Sequence, residues 1–452
     1  MIIKDFFRSY RVIHIRYYSK SAPKPSVIVD HNVLKDIENE VYKPRKHPGI
    51  MRTKTVNLPD NFIKAALRAT EDFPVKALIE SSDKLSRHLR YRVTPLEKAE
   101  YKERVHQIQE KILTKYEDYE IKNEEDAQRL KQIITDKVNY VLKEKIYNWK
   151  PMKYDTYLCL VYMLSRFAPE YSVLLKIFGE IAHRDPQFVP RSFFDFGSGV
   201  GSGTWAANVY WHKHIFEYFN VDVSADMNDL AQILLQGGTG TGESKLKGIF
   251  YRQFLPTSNN NYDIVLSAYS LFELPSLETR LQTVLNLWNK TEKYLVIVEQ
   301  GTNAGFKVIN EVRDFILQIS KDKVDCHIFS PCPHEAVCPR FMADDGTPCN
   351  FEVSYYNLPI GRSLEILKER YCYVVLKKGK RNEYNKQWPR IIRPTLVRSK
   401  HTICRMCTAN EKIEEVIFTA KKHGKLTYHC ARSSQWGDLL PIHINPNTSE
   451  VS

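Results

Sequence analysis

The chain has 452 residues, enough for two or three domains with a sizeable core. Its 43% hydrophobic and 12% aromatic content excludes a disordered chain, and no apolar run approaches the roughly 18 residues that span a bilayer. The excess of 66 basic over 53 acidic residues, a net charge of +13, favours a polyanionic partner such as RNA or an anionic membrane surface.

The first 29 residues, MIIKDFFRSYRVIHIRYYSKSAPKPSVIV, carry six Lys and Arg residues and a single acid, Asp5. Apolar residues recur there at near-helical spacing, and arginines interrupt each apolar run. This pattern is typical of a mitochondrial transit peptide and not of a secretory signal. We therefore expect a transit peptide over residues 1–18, with cleavage near Tyr17 or Tyr18, and a location in the mitochondrial matrix, where thiols stay reduced.

The segment that follows divides into two parts. Residues 19–58 are polar with scattered prolines, and we expect them to be extended. Residues 59–184 carry apolar positions every three to four residues among many charges, which predicts a helical region. Its last part, residues 154–182, is predicted to form two helices broken at Pro169.

Residues 185–384 alternate between apolar strands and helices. SFFDFG, FNVDVS, YDIVLSAYSLF and KYLVIVEQG read as buried strands, and helical stretches separate them. This alternation predicts an α/β domain with a parallel sheet flanked by helices. Residues 385–452 contain short alternating strands and many basic residues, which predicts a small β-rich C-terminal appendage.

The end of the first predicted strand carries a glycine-rich loop, FFDFGSGVGSGTW. Glycines at such a position let backbone N–H groups approach a ligand at the N-terminus of the next helix. The dinucleotide fingerprint G-x-G-x-x-G fails here, because Ser202 or Thr204 stands where its third glycine is required. The pattern is instead D-x-G-x-G-x-G, the form found in class I S-adenosylmethionine-dependent methyltransferases.

An acidic residue at the end of the second strand should bind the ribose hydroxyls, and Asp222 in FNVDVS is placed for that role. A catalytic group is missing: LSAYSLFELPS, after the next predicted strand, lacks the Asn/Asp-Pro-Pro-aromatic tetrad of amino-group methyltransferases. No cysteine lies between Cys159 and Cys326 to attack a pyrimidine carbon. The sequence thus predicts a cofactor pocket without a general base or nucleophile, and its predicted residues are Asp195, Gly197, Gly199, Gly201, Asp222 and Asp263.

Eight of the nine cysteines fall in the last third of the chain, an odd and uneven set that is a poor disulfide framework. Three of them, Cys332, Cys338 and Cys349, lie in a proline-rich segment of the cysteine loop (residues 326–349) at the spacing C-x5-C-x10-C. Buried packing is the ordinary role of free cysteines, but this segment offers little apolar packing. We therefore interpret the three thiols as metal ligands.

A fourth ligand has to come from elsewhere in the chain. Cys404 and Cys407 in HTICRMC are the candidates, and because they would point to opposite faces of a strand, only one can join the loop. Spacing alone supports zinc and a [4Fe–4S] cluster equally, and His327 and His334 keep zinc open.

Residues 361–430 contain 17 Lys and Arg residues against six Asp and Glu residues. Basic side chains can bind phosphates, and aromatic rings can stack on unpaired bases. We therefore predict an RNA-binding surface here, with stacking rings among Tyr371, Tyr373, Tyr384, Trp388, Phe418 and Tyr428.

Five motifs together resemble one family: DFGSGVGSGTWAA, DIVLSAYSLFELPS, VEQGTNAGF, the CP…CPR…PC loop and ARSSQWGDLLP. The chain resembles the small-subunit mitoribosome assembly factor family over roughly residues 150–445. The resemblance implies a class I methyltransferase fold that can bind S-adenosylmethionine, and association with maturing small-subunit rRNA and ribosomal proteins without methyl transfer. It also implies a [4Fe–4S] cluster on four cysteines, which we assign to Cys332, Cys338, Cys349 and Cys407, with Cys404 in reserve. Separately, we expect a monomer without a membrane span.

Two other functions fit the same residues. One is an active S-adenosylmethionine-dependent rRNA methyltransferase, and the other is an RNA-binding module stabilised by zinc.

Overall fold

A computed structural model describes residues 26–445 except 117, 118, 120–122, 146–148, 245, 259, 322, 323, 383 and 384. The transit peptide predicted over residues 1–18 lies outside the described residues.

The N-terminal third is mainly helical. Asp155 caps the longest helix by accepting a hydrogen bond from the Leu158 N–H at 2.8 Å. The elements in chain order are β1 (Ser26–Val29), α1 (His31–Glu38), α2 (Asp60–Ala69), α3 (Val75–Arg90), α4 (Lys98–Leu113), α5 (Glu124–Lys145) and α6 (Thr156–Arg184).

Two local predictions for this region are wrong. The segment predicted to be extended, residues 19–58, contains α1, whose buried Val33 and Ile37 form an apolar face. Helix α6 is continuous through Pro169. Proline removes one intrahelical hydrogen bond, but Phe167 and Val173 on either side are fully buried, and this packing holds the helix together.

The central domain is an α/β unit built from strands and helices in alternation. Its elements are β2 (Ser192–Phe196), α7 (Ser202–Trp211), β3 (Glu217–Val221), α8 (Ala225–Leu235), β4 (Ile249–Arg252), β5 (Tyr262–Ala268), α9 (Leu277–Lys290), β6 (Thr291–Gln300), α10 (Asn303–Ser320), β7 (Cys326–Ser330), α11 (Pro339–Met342), β8 (Phe351–Tyr356) and β9 (Ile366–Lys378).

The strand order of the central sheet is β4-β3-β2-β5-β6-β9-β7, and β8 pairs with β9. Strands β2 to β6 are mutually parallel, whereas β9 is antiparallel to its neighbours. This order, with one reversed strand next to the edge, is that of the class I S-adenosylmethionine-dependent methyltransferases, so the predicted fold class is confirmed. The order reverses between β2 and β5, and ligands of open α/β sheets bind at such a switch point.

Each face of the sheet has its own core. Phe193 and Tyr294 point to the face covered by α6 and α7, and Phe194 and Leu295 point to the face covered by α9 and α10. Successive side chains of a strand alternate between faces, so both faces of these central strands are apolar. Every one of these four side chains is fully buried.

Among the described residues, α6 is the one helix long and apolar enough to cross a membrane by length and composition. Of its most apolar 18-residue window, 72% is buried inside the protein. It packs against α3, α7 and α8, as the core helix of a globular domain does.

The C-terminal elements are β10 (Arg390–Ile391), β11 (Leu396–Val397), β12 (Thr402–Cys407), β13 (Ile413–Phe418), α12 (Ala420–His423), α13 (Lys425–Ser433) and β14 (Ile442–Asn445). The N-terminal segment belongs to the same unit, because β1 pairs with β14 along its whole length. Val33, Ile37 and Met51 share an apolar core with Trp388 and Ile442. Residues 26–51 and 385–445 therefore form one body, which we name the C-terminal module.

Asp30 joins the two ends of this module. Its carboxylate accepts hydrogen bonds from the N–H groups of Asn32 and Val33, which cap α1, and from Trp388 Nε1 at 3.1 Å. Replacing Asp30 by Ala should destabilise the module by about 1–3 kcal/mol, since a helix cap is lost and the buried indole loses its acceptor.

Hydrogen exchange of the β14 amides measures this effect, and exchange should speed up in Asp30→Ala. Glu38→Ala, at an exposed position of the same helix, is the matched control and should leave exchange unchanged. Equal exchange in Asp30→Ala and Glu38→Ala would show that the N-terminal segment does not stabilise the module.

Candidate cofactor and metal sites

The glycine loop follows β2 at the carboxyl edge of the sheet. Gly197, Gly199 and Gly201 all have positive φ, at 70°, 50° and 82°. Residues with a Cβ rarely adopt this conformation, which explains three glycines in alternation. The Gly197 N–H donates to the Val221 carbonyl at 2.7 Å, so the loop is fastened to the end of the neighbouring strand.

Asp195 lies beneath the loop and is nearly completely buried. Burial raises its pKa well above the ordinary value, and the carboxylates of Asp222 and Glu170 raise it further. A Cβ on Gly203 would stand 2.3 Å from Asp195 Oδ2, so only glycine fits over this side chain. Asp195 thus packs between the glycine loop and the sheet.

Asp222 stands at the end of β3 and contacts the loop directly. Its Oδ2 accepts the Gly199 N–H and its Oδ1 accepts the Ser224 N–H, both at 2.9 Å. Burial raises the pKa of Asp222, although the two N–H donors lower it in part. Asp222 and the three glycines are therefore brought together, as the sequence predicted.

Asp263 is not brought to this site. It lies at the amino end of β5, the edge opposite the glycine loop. Its Oδ2 accepts hydrogen bonds from the N–H groups of Arg191 at 2.7 Å and Ser192 at 3.2 Å, at the start of β2. Asp263 aligns the start of two strands and does not line the cofactor site that the sequence predicted.

Several polar atoms near the carboxyl edge are buried without a hydrogen-bond partner in the described part of the chain, among them Ser198 Oγ, Arg166 Nη2 and Tyr269 OH. The Arg166 guanidinium lies 5.0 Å from the centre of the Tyr269 ring. Tyr269 has φ of 57°, a strained conformation for a residue with a Cβ. Unpaired buried polar groups are costly, so these atoms, together with the open glycine backbone, fit a polar ligand.

The segment after β5 is covered by the N-terminal region. Buried Arg92 forms an ion pair with Glu273 and donates to the Lys150 carbonyl at 3.0 Å. Trp149 Nε1 donates to the Phe272 carbonyl at 2.8 Å, and the Met152 N–H donates to Glu273. Methyltransferases that act on amino groups place their substrate-binding tetrad in this segment, whereas here it is engaged in intramolecular contacts.

The second site lies between the cysteine loop and the C-terminal module. Cys332, Cys338 and Cys349 border a small cavity of about 20 Å³, and Cys407, the last residue of β12, borders the same cavity. Apolar and cationic side chains complete the wall, among them Phe351, Ile392, Ile413, Arg340 and Arg390.

These thiols are buried or half-buried, and arginine side chains lie close to them. Burial raises the pKa of Cys338 to about 11, and the neighbouring Cys332 adds to the effect. Burial also raises the pKa of Cys349 and of Cys407, and the neighbouring thiols of the set raise it further. Arg313 of α10 is buried beside Cys332 and Cys338; burial lowers its pKa, but Cys332 and its ion-pair partner Asp314 raise it more.

The other candidate ligands are placed differently. Cys404 points to the opposite face of β12, where its Sγ lies 3.8 Å from the Ala431 carbonyl. His334 Nε2 lies 3.4 Å from Cys407 Sγ, and His327 Nδ1 contacts the Gly379 carbonyl at 2.8 Å. Within the described residues, no group of three or more His, Cys, Asp or Glu side chains is arranged to hold a single metal ion.

The basic segment exposes its charges but not its rings. Arg398 and Lys400 on the turn before β12, and Lys421, Lys422 and Lys425 on α12 and α13, are exposed, and we name these five the basic face. Arg432 Nη1 of α13 donates to the Arg398 carbonyl at 2.6 Å, which brings the turn beside the helices.

The prediction that aromatic rings of this segment stack on bases is wrong for five of the six residues. These five rings are packed inside the protein, so their faces are not accessible to a base. Tyr384 lies outside the described residues. The buried rings are those of Tyr371, Tyr373, Trp388, Phe418 and Tyr428.

Sequence reasoning missed the side chains that complete both sites. Arg166 comes from the middle of α6, and Arg92 follows α3, so neither shares a local motif with the glycine loop. Arg390 reaches the cysteine loop from the C-terminal module. A weak signal existed for Arg166, because a charged residue within an apolar helix needs a buried partner.

The chain is similar in sequence to one protein family and to several known mitochondrial proteins. The family model described as mitochondrial small ribosomal subunit Rsm22 matches residues 156–441. A human protein, the mitochondrial ribosome assembly protein METTL17, is 36% identical over 403 residues, which cover 88% of this chain and 86% of that protein. An Rsm22-cox11 tandem protein of Schizosaccharomyces pombe, also mitochondrial, is 27% identical and covers 61% of this chain and 42% of its own length.

Two solved structures are similar at low identity. The magnesium protoporphyrin IX methyltransferase of Synechocystis, with bound SAH, is 13% identical over 55% of this chain and 99% of that chain, with a TM-score of 0.31. The plantazolicin methyltransferase BpumL is 14% identical over 47% and 85% of the two chains, with a TM-score of 0.30.

The predicted mitochondrial location is confirmed by the relatives. The family match spans more than half of the chain and includes both the glycine loop and the four cysteines. The chain belongs to the mitochondrial small ribosomal subunit Rsm22 family.

Proposed function

We propose that the protein is a matrix assembly factor of the small mitoribosomal subunit, which binds maturing rRNA on a methyltransferase-like scaffold and does not transfer methyl groups. One observation carries the proposal: thiols from the cysteine loop and from β12 border one cavity between the central domain and the C-terminal module. The assembly role of the human relative supports the choice of partner.

A [4Fe–4S] cluster on Cys332, Cys338, Cys349 and Cys407 is the metal group we favour. A cluster binds each thiolate through a different iron, so its four sulfur ligands surround a core and need not converge on one point. When bound, it supplies covalent cross-links between segments about 60 residues apart in sequence, which couples folding to metal supply. The position of Arg313 supports a cluster at this site, because its buried cation stands beside two of the four thiols.

S-adenosylmethionine is the ligand we favour at the glycine loop. The positive-φ backbone of Gly199 and Gly201 leaves room for close approach, since no atom lies within 3.4 Å of a Cβ built on either residue. Asp222 supplies the acidic group at the end of β3. The unpaired atoms of Ser198, Arg166 and Tyr269 offer further polar contacts.

The lack of methyl transfer is supported by the segment after β5. In this segment Glu273 is paired with Arg92, and the Phe272 carbonyl is occupied by Trp149. Glu273 is therefore not free to act as a base, and these contacts cover the segment in which amino-group methyltransferases carry their substrate-binding tetrad. A bound cofactor in this protein therefore acts as a structural ligand.

Binding of rRNA is assigned to the basic face. Its lysines and arginines are exposed on a turn and on two short helices, which suits contacts to phosphates. Because the nearby rings are buried, we expect recognition through charge and shape and not through base stacking.

The metal proposal predicts a difference between two neighbouring cysteines. Cys407→Ser should lower the iron content of anaerobically purified protein from about four atoms per chain to below one, because one ligand of the cluster is lost. Cys404→Ser, on the other face of β12, should retain the iron. Elemental analysis with labile-sulfide determination measures both, and about one zinc per chain in the wild type would instead support the zinc-stabilised module.

The cofactor proposal predicts a difference between two aspartates. Asp222→Asn should weaken binding of S-adenosylmethionine at least tenfold, about 1.4 kcal/mol, because an amide is a poorer acceptor for ribose hydroxyls. Asp263→Asn, at the opposite edge of the sheet, should bind as the wild type does. Calorimetric titration measures both affinities. Transfer of labelled methyl groups to small-subunit rRNA that disappears in Asp222→Asn would establish the alternative, an active methyltransferase.

The rRNA proposal predicts a change in salt dependence. The triple variant Lys421→Gln, Lys422→Gln, Lys425→Gln should weaken binding to small-subunit rRNA and flatten the slope of log K against log salt by about two to three, because each lysine that binds a phosphate releases about one counterion. The matched control neutralises Lys98, Lys102 and Lys111 on α4, which are equally exposed. Equal slopes in both triple variants would exclude the basic face as the binding surface.

A further inference from the structure

Three side chains of residues 387–393, which we name the carbonyl-binding segment, reach across to the cysteine loop. Gln387 Nε2 donates to the Pro333 carbonyl at 2.7 Å, and Arg390 Nε donates to the Pro331 carbonyl at 3.2 Å. Arg393 Nη2 donates to the Pro348 carbonyl at 3.2 Å.

The three carbonyls share a position relative to the ligands. Pro331 and Pro333 flank Cys332, and Pro348 precedes Cys349. Proline already fixes its own φ, so a hydrogen bond to its carbonyl restricts the remaining rotation of the peptide that leads into the next residue. The direction in which Cys332 and Cys349 present their sulfur atoms is therefore set by donors from another part of the chain.

The donors are themselves held in place. Arg390 is nearly completely buried, and its guanidinium pairs with Glu180 of α6 and donates to the Gly437 carbonyl at 2.7 Å. Arg393 Nη1 donates at 3.3 Å to Asn350 Oδ1, and the Asn350 amide donates to the Gly301 carbonyl at 2.7 Å. Each arginine thus connects the cysteine loop to an element of the central domain.

We propose that Gln387, Arg390 and Arg393 are positioning residues that hold the cysteine loop in its ligand geometry and thereby slow release of the metal group. The inference rests on the proposed function, because it takes the four cysteines as ligands. Partners in the second shell of a metal orient the ligands, and their removal typically lowers metal affinity 10- to 100-fold. Here the orienting groups act on the backbone beside the ligands.

Arg393 and Gln387 are the positions to test, because replacement of Arg390 would leave the buried Glu180 without its partner and endanger the fold. The experiment compares Arg393→Ala, Gln387→Ala and Arg393→Lys with wild type in the full chain. Arg405→Gln is the matched control, since Arg405 lies on β12 two residues before Cys407 and its exposed side chain pairs with Glu415. Loss of iron to an excess of chelator is followed by the decay of the visible absorbance.

Arg393→Ala should release iron 10- to 100-fold faster than wild type, and Gln387→Ala should also release it faster. Arg393→Lys should be intermediate, because a lysine donates to the Pro348 carbonyl but cannot bridge to Asn350 as a guanidinium does. Arg405→Gln should release iron at the wild-type rate.

A second measurement needs no metal. In metal-free protein, hydrogen exchange of peptides covering residues 331–350 should be faster in Arg393→Ala than in wild type or Arg405→Gln. Iron release and exchange that both match wild type in Arg393→Ala and Gln387→Ala would overturn the positioning role alone. A wild-type protein that holds no iron would overturn the metal group of the proposed function, whatever the exchange of the loop.

Discussion

The buried ion pair between Arg390 and Glu180 is the interaction on which the arrangement of this protein depends. Arg390 Nη2 lies 2.5 Å from Glu180 Oε1, and both side chains are almost fully enclosed. Burial would raise the pKa of Glu180, but Arg390 and Arg184 outweigh it and lower the pKa to about 2. The stabilisation is therefore complete above the ordinary carboxyl pKa of about 4.3 and declines as the pH falls toward 2. Removing one partner of such a pair typically costs about 3–5 kcal/mol.

The pair matters because of what it connects. Glu180 belongs to the central helix α6, and Arg390 belongs to the C-terminal module. The same guanidinium donates to the carbonyl of Pro331, which precedes Cys332 in the cysteine loop. One charged contact thus fixes the C-terminal module against the methyltransferase-like domain and sets one wall of the cavity. This docking brings Cys407 opposite the loop cysteines, which is the arrangement that the proposed metal group requires. Contacts within the protein thus position the four cysteines, and a bound metal group would stabilise that arrangement.

Sequence patterns were sufficient for features that depend on neighbours in the chain. Strand–helix alternation with apolar strands predicted the sheet, and the spacing of glycines after Asp195 predicted a glycine loop at the end of β2, where the three glycines have positive φ. Alternation along β12 predicted that Cys404 and Cys407 would face apart. Patterns failed where distant segments decide the outcome. Asp263 resembles a cofactor ligand in sequence, but parallel strand direction places it at the wrong edge. The aromatic rings of the basic segment read as exposed, although core packing buries them, and the pairing of β1 with β14 had no local signal.

We regard the central domain as a scaffold whose two ligand sites serve assembly. The central claim concerns the four thiols, and X-ray absorption at the iron and zinc edges of anaerobically purified wild-type protein tests it most directly. We expect iron with sulfur neighbours only, and with iron–iron scattering from a cluster. A spectrum of zinc with four sulfur neighbours at about 2.3 Å, or the absence of both metals, would contradict the claim.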